Sequence, residues 1–307
     1  MSIISEIKSR ICKVEWCVAI REYPSCSLFF ESNVAPFIPI PNSFRYWAAD
    51  PFIIDYDNKT MLFVELYDRF KRKGLIGYMD ITKGVKTKFK QVFETNCHLS
   101  YPMCFIYEKD LYAIPESNNI KKLLLLKWNK IREEFEVVRT FMDGYCLADT
   151  TFVECGKDCY MLTTEVTHND NVGTLSVFKL IGEGKFQSSP KNPVKHDKTI
   201  ARNGGMIINH DGKLYRVSQD CGNGYGSGLN LNLVDSISLD NYQETLIMKV
   251  RPSDIRIKGV KNIDGIHTYN SNSRYEVIDY KIDHKFSIAE ILGFVLCKLR
   301  IFTKIEK

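Results

Sequence analysis

A short pattern recurs five times down this chain: a strand, a polar turn, and a second strand closed by a polar or acidic residue. Its clearest copy is Trp47-Ala48-Ala49-Asp50-Pro51-Phe52-Ile53-Ile54, a turn over 55–60, and Met61-Leu62-Phe63-Val64-Glu65. Further copies run from Tyr101 to Glu116, from Asp149 to Glu165 and from Asn203 to Asp220, with a degenerate fifth from His267 to Asp279. The openings at 50, 101, 149, 203 and 267 are separated by 51, 48, 54 and 64 residues. Short β-runs repeating at such a period mark a propeller, because one small sheet cannot bury both of its faces and must stack on its neighbours around an axis. The predicted fold is therefore all-β, a five-bladed β-propeller over residues 1–283, followed by a C-terminal amphipathic helix over 284–307.

The repeat also predicts where chemistry gathers. Two antiparallel strands joined by a tight turn bring the start of the first and the end of the second to one end of the blade. Asp50 with Glu65, Tyr101 with Glu116, Asp149 with Glu165, and Asn203 with Asp220 are thus expected on one face, around the mouth of the central channel. Trp47 immediately precedes Asp50, so it is expected at the rim of the pocket or as a plug between blades. Arg202 precedes Asn203 at the same mouth. A guanidinium there can clamp a phosphate or carboxylate with two parallel bonds, or serve as a structural ion pair among acids.

The rest of the chain sets bounds. At 307 residues and 44% hydrophobic content it can bury a full core as one domain. A net charge of +5, with Lys and Arg spread through the chain, gives no reason to expect nucleic acid. Ten cysteines form no CxxC pair, and Met1–Lys8 lacks an apolar signal core, so reduced thiols in a cytoplasmic protein are expected. Trp16–Ile20 reads as a strand free to complete the last blade. Residues 24–46, with Pro24, Pro36, Pro39 and Pro41, read as an irregular approach to the first blade. Phe70–Gly74 is a basic turn, read as a solvated hairpin or a phosphate loop. Gln219–Gly228 is glycine-rich but matches no nucleotide-binding fingerprint, and is read as a substrate-facing loop. The tail, Phe286–Phe302, is apolar with basic residues at its end. It suits a helix lying peripherally on the inner face of the plasma membrane, or one packed on the propeller rim.

Several carboxylates around one pocket fit glycosyl chemistry, which needs one group to move a proton and another to activate a nucleophile or stabilise positive charge at the anomeric carbon. Crowding drives the pKa values of such acids apart. Carboxylates also suit calcium, but no EF-hand-like spacing is present. His98, His168, His210 and His267 form no zinc pattern. No metal or other cofactor is expected.

Ala49-Asp50-Pro51 and Ala148-Asp149-Thr150 resemble the blade openings of five-bladed glycoside hydrolases of the arabinanase and xylosidase type. That resemblance implies Asp50 as base and Asp149 as the group that sets its pKa. A longer series looks like one family. It runs through Ser100-Tyr101-Pro102, Ile114-Pro115-Glu116-Ser117, Ala201-Arg202-Asn203-Gly204-Gly205, Leu214-Tyr215-Arg216, Gln219-Asp220-Cys221 and Gly265-Ile266-His267-Thr268. It resembles the N-terminal propeller domain of glucosamine inositolphosphorylceramide transferases and its bacterial relatives in surface-polysaccharide clusters, over roughly residues 40 to 280. The resemblance implies transfer of a sugar from an activated donor, a nucleotide sugar, to a lipid-linked glycan or glycolipid acceptor, as in O-antigen or capsule synthesis. The plant-type enzymes carry a second, conventional glycosyltransferase domain, which these 307 residues do not contain. Where the hydrolases place a general-acid glutamate at the start of blade four, this chain has Arg202-Asn203. Glu116 or Glu165 would then supply an acid or orient hydroxyls, and Arg202 would meet the donor phosphate. Glu65, Tyr101, Asp220, His267 and Trp47 are the remaining substrate-binding candidates. A glycoside hydrolase and a non-catalytic carbohydrate-binding propeller are the alternatives.

Overall fold

In the computed structural model, residues 14–22, 27–31, 35–167, 172–283 and 288–298 are described. Residues 1–13, His168 and both ends of the expected tail helix lie outside them. Five antiparallel sheets follow one another around a ring.

The strands are β1 (Val14–Glu22) and β2 (Ile38–Ile40); β3 (Tyr46–Tyr56), β4 (Lys59–Asp68), β5 (Lys73–Asp80) and β6 (Lys90–Phe93). Next come β7 (Ser100–Tyr107), β8 (Asp110–Glu116), β9 (Leu123–Asn129) and β10 (Glu134–Phe141). They are followed by β11 (Leu147–Cys155), β12 (Asp158–Glu165), β13 (Thr174–Gly182), β14 (Lys185–Ser188) and β15 (Lys195–His196). The last six are β16 (Asn203–His210), β17 (Lys213–Asp220), β18 (Gly228–Ile237), β19 (Tyr242–Val250), β20 (Tyr269–Ser271) and β21 (Tyr275–Asp283).

Blades one to four each take consecutive strands, beginning at β3, β7, β11 and β16. The fifth is ordered β20-β21-β1-β2, so the N-terminal strand closes the ring as its sequence allows, pairing Val14–Glu22 along the whole of Tyr275–Asp283. This joins the two ends of the chain's β-structure through one hydrogen-bonded ladder. Part of the proline-rich approach turns out to be ordered as β2, the outer strand of that blade. Pro39 is tolerated there because an edge strand has one side without a ladder to serve. A one-turn helix, Ser27–Phe30, lies between them.

Five apolar cores fill the five joints between neighbouring blades. Phe52 and Phe63 of blade one meet Tyr101, Leu126 and Trp128 of blade two, while Leu62 and Val64 face Val18, Ile20 and Val277 of blade five. Ile114 and Phe141 pack on Met161 and Phe178, and Leu162 and Val177 on Ala201 and Ile207. Val217, Leu229 and Leu231 meet Ala19, Tyr269 and Ile278. Both faces of the central strands are covered, which is why Met61–Leu66 is buried without interruption.

A bulge recurs at the start of the inner strand. The ladder runs Ala49–Glu65, Ser100–Glu116 and Ala148–Thr164, then slips before resuming at Phe52, Met103 and Thr151. The residues at the slip, Asp50, Tyr101 and Asp149, have φ of 47°, 44° and 47°. Left-handed backbone at a non-glycine residue costs about 1–2 kcal/mol, and the bulge both ends the pairing and re-aims the side chain. An acid of the preceding blade accepts each freed N–H. Asp50 N donates to Asp279 Oδ2 (3.0 Å), Tyr101 N to Asp50 Oδ2 (3.0 Å) and Asp149 N to Glu116 Oε2 (3.3 Å). Blade four uses Gly204-Gly205 instead. A Cβ at Gly205 would overlap the Tyr269 carbonyl oxygen, so glycine is required where this strand meets blade five.

A helix over Ile288–Lys298 docks on the turn after β4, with Glu290 3.4 Å from Arg69. No helix among the described residues is long and apolar enough to cross a membrane.

Candidate active site

The bulges and the ends of the second strands lie at one end of the ring, as the repeat predicts. Asp50 sits at the centre of one half. Its Oδ1 accepts from the Thr268 hydroxyl (2.6 Å) and its Oδ2 from Tyr101 N. The His267 Nδ1 is 3.6 Å from Asp50 and 2.5 Å from Asp279 Oδ2. Asp279 Oδ1 also receives the backbone N–H groups of His267 and Thr268, both at 2.9 Å. Trp16 covers the imidazole at 3.9 Å between ring centroids.

Burial lifts the Asp50 carboxyl to about 6, with the charges of Asp279 and Asp149 adding to the rise against the opposing pull of His267. Burial alone would lower the His267 pKa, but the carboxylates of Asp279 and Asp50 outweigh it and raise it. Ligating atoms of Asp50, His267 and Asp279 lie close enough together to surround a cation. In this arrangement Asp279 and Asp50 already receive four N–H groups and a hydroxyl, and His267 bonds Asp279, so the hydrogen bonds account for the cluster without one.

The other half is built on Arg202. Its Nε is 2.5 Å from Asp149 Oδ2 and its Nη2 is 3.3 Å from Glu116 Oε2. Gln219 donates to Asp149 Oδ2 (2.7 Å), and Asn203 donates to the Asp149 carbonyl (2.8 Å). Behind them, the fully buried Arg216 holds the carbonyls of Ala201 and Ile200 and the Asn203 side chain, and pairs with Glu244 at 2.6 Å. Arg202 is therefore held on both sides. Burial lifts the Glu116 carboxyl to about 8, Asp149 lifting it further and Arg202 drawing it down.

Of the residues expected at the mouth, Asp50, Glu65, Glu116, Asp149, Arg202 and His267 are brought to it, each nine-tenths buried or more. Trp47 stands at the rim, half-buried and stacked on Tyr67 at 4.5 Å. Tyr101 is completely buried. Its hydroxyl bonds Thr151 and the Gly205 carbonyl, so it fills the channel beneath the acids and serves Asp50 through its backbone. Glu165 pairs with Leu147, one step beyond the Ala148–Thr164 pair that matches Ala49–Glu65, and the pleat turns it to the opposite face from Glu65 and Glu116. Asp220 caps the glycine-rich loop by accepting from Gly222 N at 2.8 Å.

Asp279, Thr268 and Gln219 complete the site without having been singled out from sequence. Asp279 was legible as the closing acid of the fifth copy. The other two act through contacts between blades that no local pattern encodes.

A family model described as glucosamine inositolphosphorylceramide transferase 1, N-terminal, matches residues 39–277. Glucosamine inositolphosphorylceramide transferase 1 of Oryza sativa subsp. indica is 28% identical over 240 residues, covering 76% of this chain and 31% of the rice protein. The protein of that name from Arabidopsis thaliana is 29% identical over 227 residues, covering 72% of this chain and 28% of its own. This chain thus spans less than two thirds of the curated relatives it matches. Among solved structures, an α-L-arabinofuranosidase from Podospora anserina superimposes with a TM-score of 0.52 at 10% identity, covering 78% of this chain and 91% of the enzyme. A family 117 glycoside hydrolase from Zobellia galactanivorans gives 0.50 at 10% identity, covering 87% and 90%. At that identity the likeness is one of fold. The family match spans most of the propeller and takes in every residue of the acid–arginine mouth except Asp279: the chain belongs to the family of the N-terminal domain of glucosamine inositolphosphorylceramide transferase 1.

Proposed function

We propose that this mouth transfers a sugar from a nucleotide-sugar donor to a hydroxyl of a lipid-linked glycan or glycolipid. The observation that carries the reading is Arg202, a buried cation held by Asp149 and Glu116 on the same face as Asp50. In the transfer, the acceptor O–H proton passes to the Asp50 carboxylate as the acceptor oxygen bonds to the anomeric carbon. The bond from that carbon to the donor phosphate breaks, its electron pair stays on the phosphate oxygen, and Arg202 faces the negative charge that develops there. Asp149 and Gln219 act through Arg202 as positioning residues. An acceptor proton can be taken only by ionised Asp50. We therefore expect kcat/KM to climb about tenfold per pH unit on the acid side and to level off above the Asp50 titration near 6. A pH–rate profile with no acid limb between 5 and 7 would remove Asp50 from that role.

A hydrolase reading has one observation in its favour. Glu116, lifted to about 8, stays protonated at neutral pH as a general acid must. It would show itself by release of free sugar from glycosides without a nucleotide donor.

The C-terminal helix supports a lipid-linked acceptor. It turns Ala289, Glu290 and Gly293 inward and leaves Ile288, Leu292 and Val295 exposed on one stripe, a match for an interfacial surface. The full chain is expected to cosediment with phosphatidylglycerol vesicles, and Leu292→Asp to weaken this about tenfold. Equal sedimentation of wild type and variant would contradict the membrane contact.

A further inference from the structure

One acid of the ring stands apart from the rest. Asp50, Glu116, Asp149 and Asp279 each accept at least two hydrogen bonds. For Glu65, among the described residues, neither oxygen has a hydrogen bond, and Oε1 is buried without a partner. The group facing it is His98, whose Nε2 lies 3.5 Å from Oε1, too long for a good bond. The tautomer of His98 is set from behind: its Nδ1 accepts Gly74 N–H at 2.9 Å, so the ring is neutral and carries its proton on Nε2, toward Glu65. Burial also lowers the His98 pKa. Burial, followed by the charges of Asp50 and Glu116, raises the Glu65 pKa well above the usual carboxylate range and so favours its protonated form, which has one O–H to give.

Gly74 lies against this pair and against the Leu99 carbonyl oxygen, which a Cβ there would overlap. A Cβ there would stand 2.7 Å from Glu65 Oε1 and 3.0 Å from His98 Cε1. Above it, β4 places Tyr67 two residues on from Glu65 and so on the same side of the strand. Its ladder partner Trp47 stacks on it with ring planes 13° apart. Both rings are half-buried and so keep surface at the mouth.

We propose that Trp47, Tyr67, Glu65 and His98 form a subsite on blade one for an uncharged sugar ring, beside the acid–arginine centre. An aromatic face receives the C–H face of a pyranose. A carboxylic acid that can both donate and accept, with an imidazole N–H next to it, satisfies ring hydroxyls. A cationic ligand group would instead call for an ionised acid, and Glu65 is buried with no lysine or arginine paired to it among the described residues. The inference rests on the sugar-handling reading of the mouth and deepens it, but it needs neither a nucleotide nor turnover.

Tryptophan emission reports on it directly. Trp16 and Trp128 are 7% and 6% exposed, so the accessible signal comes from Trp47. Titration of the full chain with neutral methyl glycosides should give a saturable shift that vanishes in Trp47→Ala. Affinity should fall about tenfold in Glu65→Ala, while Glu65→Gln, which keeps a neutral donor and acceptor, stays within about threefold of wild type. Saturation-transfer NMR of the glycoside gives a second readout if an alanine variant is poorly folded. An unmoved emission with no saturation transfer, Glu65→Ala binding as wild type, or a hexosamine binding tenfold tighter than the matching hexose would each overturn the proposal. Failure of nucleotide-sugar binding with this shift intact would count against the transferase reading and leave the subsite standing.

Discussion

Asp50→Asn should lower turnover by about 10²–10⁴-fold, the range for loss of a positioned acid–base group, while leaving the propeller folded. The substitution removes the proton acceptor and keeps the shape. Its stability cost is bounded by two opposing effects. The wild-type carboxylate accepts from both Thr268 and Tyr101 N, and an amide has only one acceptor oxygen, so one of those bonds is lost. Against this, the folded state holds the Asp50 carboxyl at about 6 rather than 3.8, so it favours the protonated acid. That preference stabilises the fold fully below the unfolded pKa and is lost as pH rises through 6, where the buried charge must form. Asparagine never ionises. The Tm difference should therefore move in favour of Asp50→Asn between pH 4 and pH 8, by a term on the order of 1–3 kcal/mol. Circular dichroism melts across that range check it, alongside turnover assays at each pH. Full activity in the variant would remove Asp50 from the chemistry. A constant Tm difference would mean that the Asp50 charge is not buried as described.

The second large effect is at Arg202. Arg202→Ala leaves the Asp149 carboxylate buried without its cation and Glu116 without a hydrogen-bond donor, and breaking such a pair costs about 3–5 kcal/mol. A fall in Tm is the expected outcome, and it would obscure any effect on a ligand. Arg202→Lys separates the two. It keeps the positive charge near Asp149 and Glu116, at a smaller cost in stability, but loses the planar fork that addresses two oxygens at once. Donor affinity is expected to fall about tenfold or more in the lysine variant while the fold persists. Chemical denaturation and calorimetry on one preparation read both quantities. A lysine variant that binds a donor as tightly as wild type would reduce Arg202 to a structural ion pair.

The fold was legible because a propeller writes its plan into the spacing of its sequence. Each copy carries the same two strands, and the apolar runs such as Met61–Leu66 are long enough to be covered on both faces. The strand at Trp16 was readable as one looking for a sheet, and it completes the fifth blade. The site was legible as far as the bulges. Asp50 and Asp149 stand at equivalent openings, and both side chains reach the mouth. Tyr101 occupies the same opening in blade two, yet its ring drops into the channel to bond Thr151 and the Gly205 carbonyl. An opening position fixes the backbone turn but not the direction of a long side chain. Glu165 shows a second limit. An acid at the end of a strand looks equivalent to Glu65 and Glu116, but a one-residue offset in register reverses its face, and the ladder places Thr164 at the matching position. Asp279 shows a third limit: it closes the fifth copy in the sequence, but β20 is only three residues long, so nothing in that copy says which opening the acid meets.

The most direct measurement is a calorimetric titration of the full chain with a panel of nucleotide sugars, run on wild type and Arg202→Lys under the same conditions. One nucleotide sugar is expected to bind wild type saturably and the lysine variant about tenfold more weakly or worse. Absence of heat with every nucleotide sugar, together with release of free sugar from a simple glycoside by the same preparation, would contradict it and assign the mouth to hydrolysis.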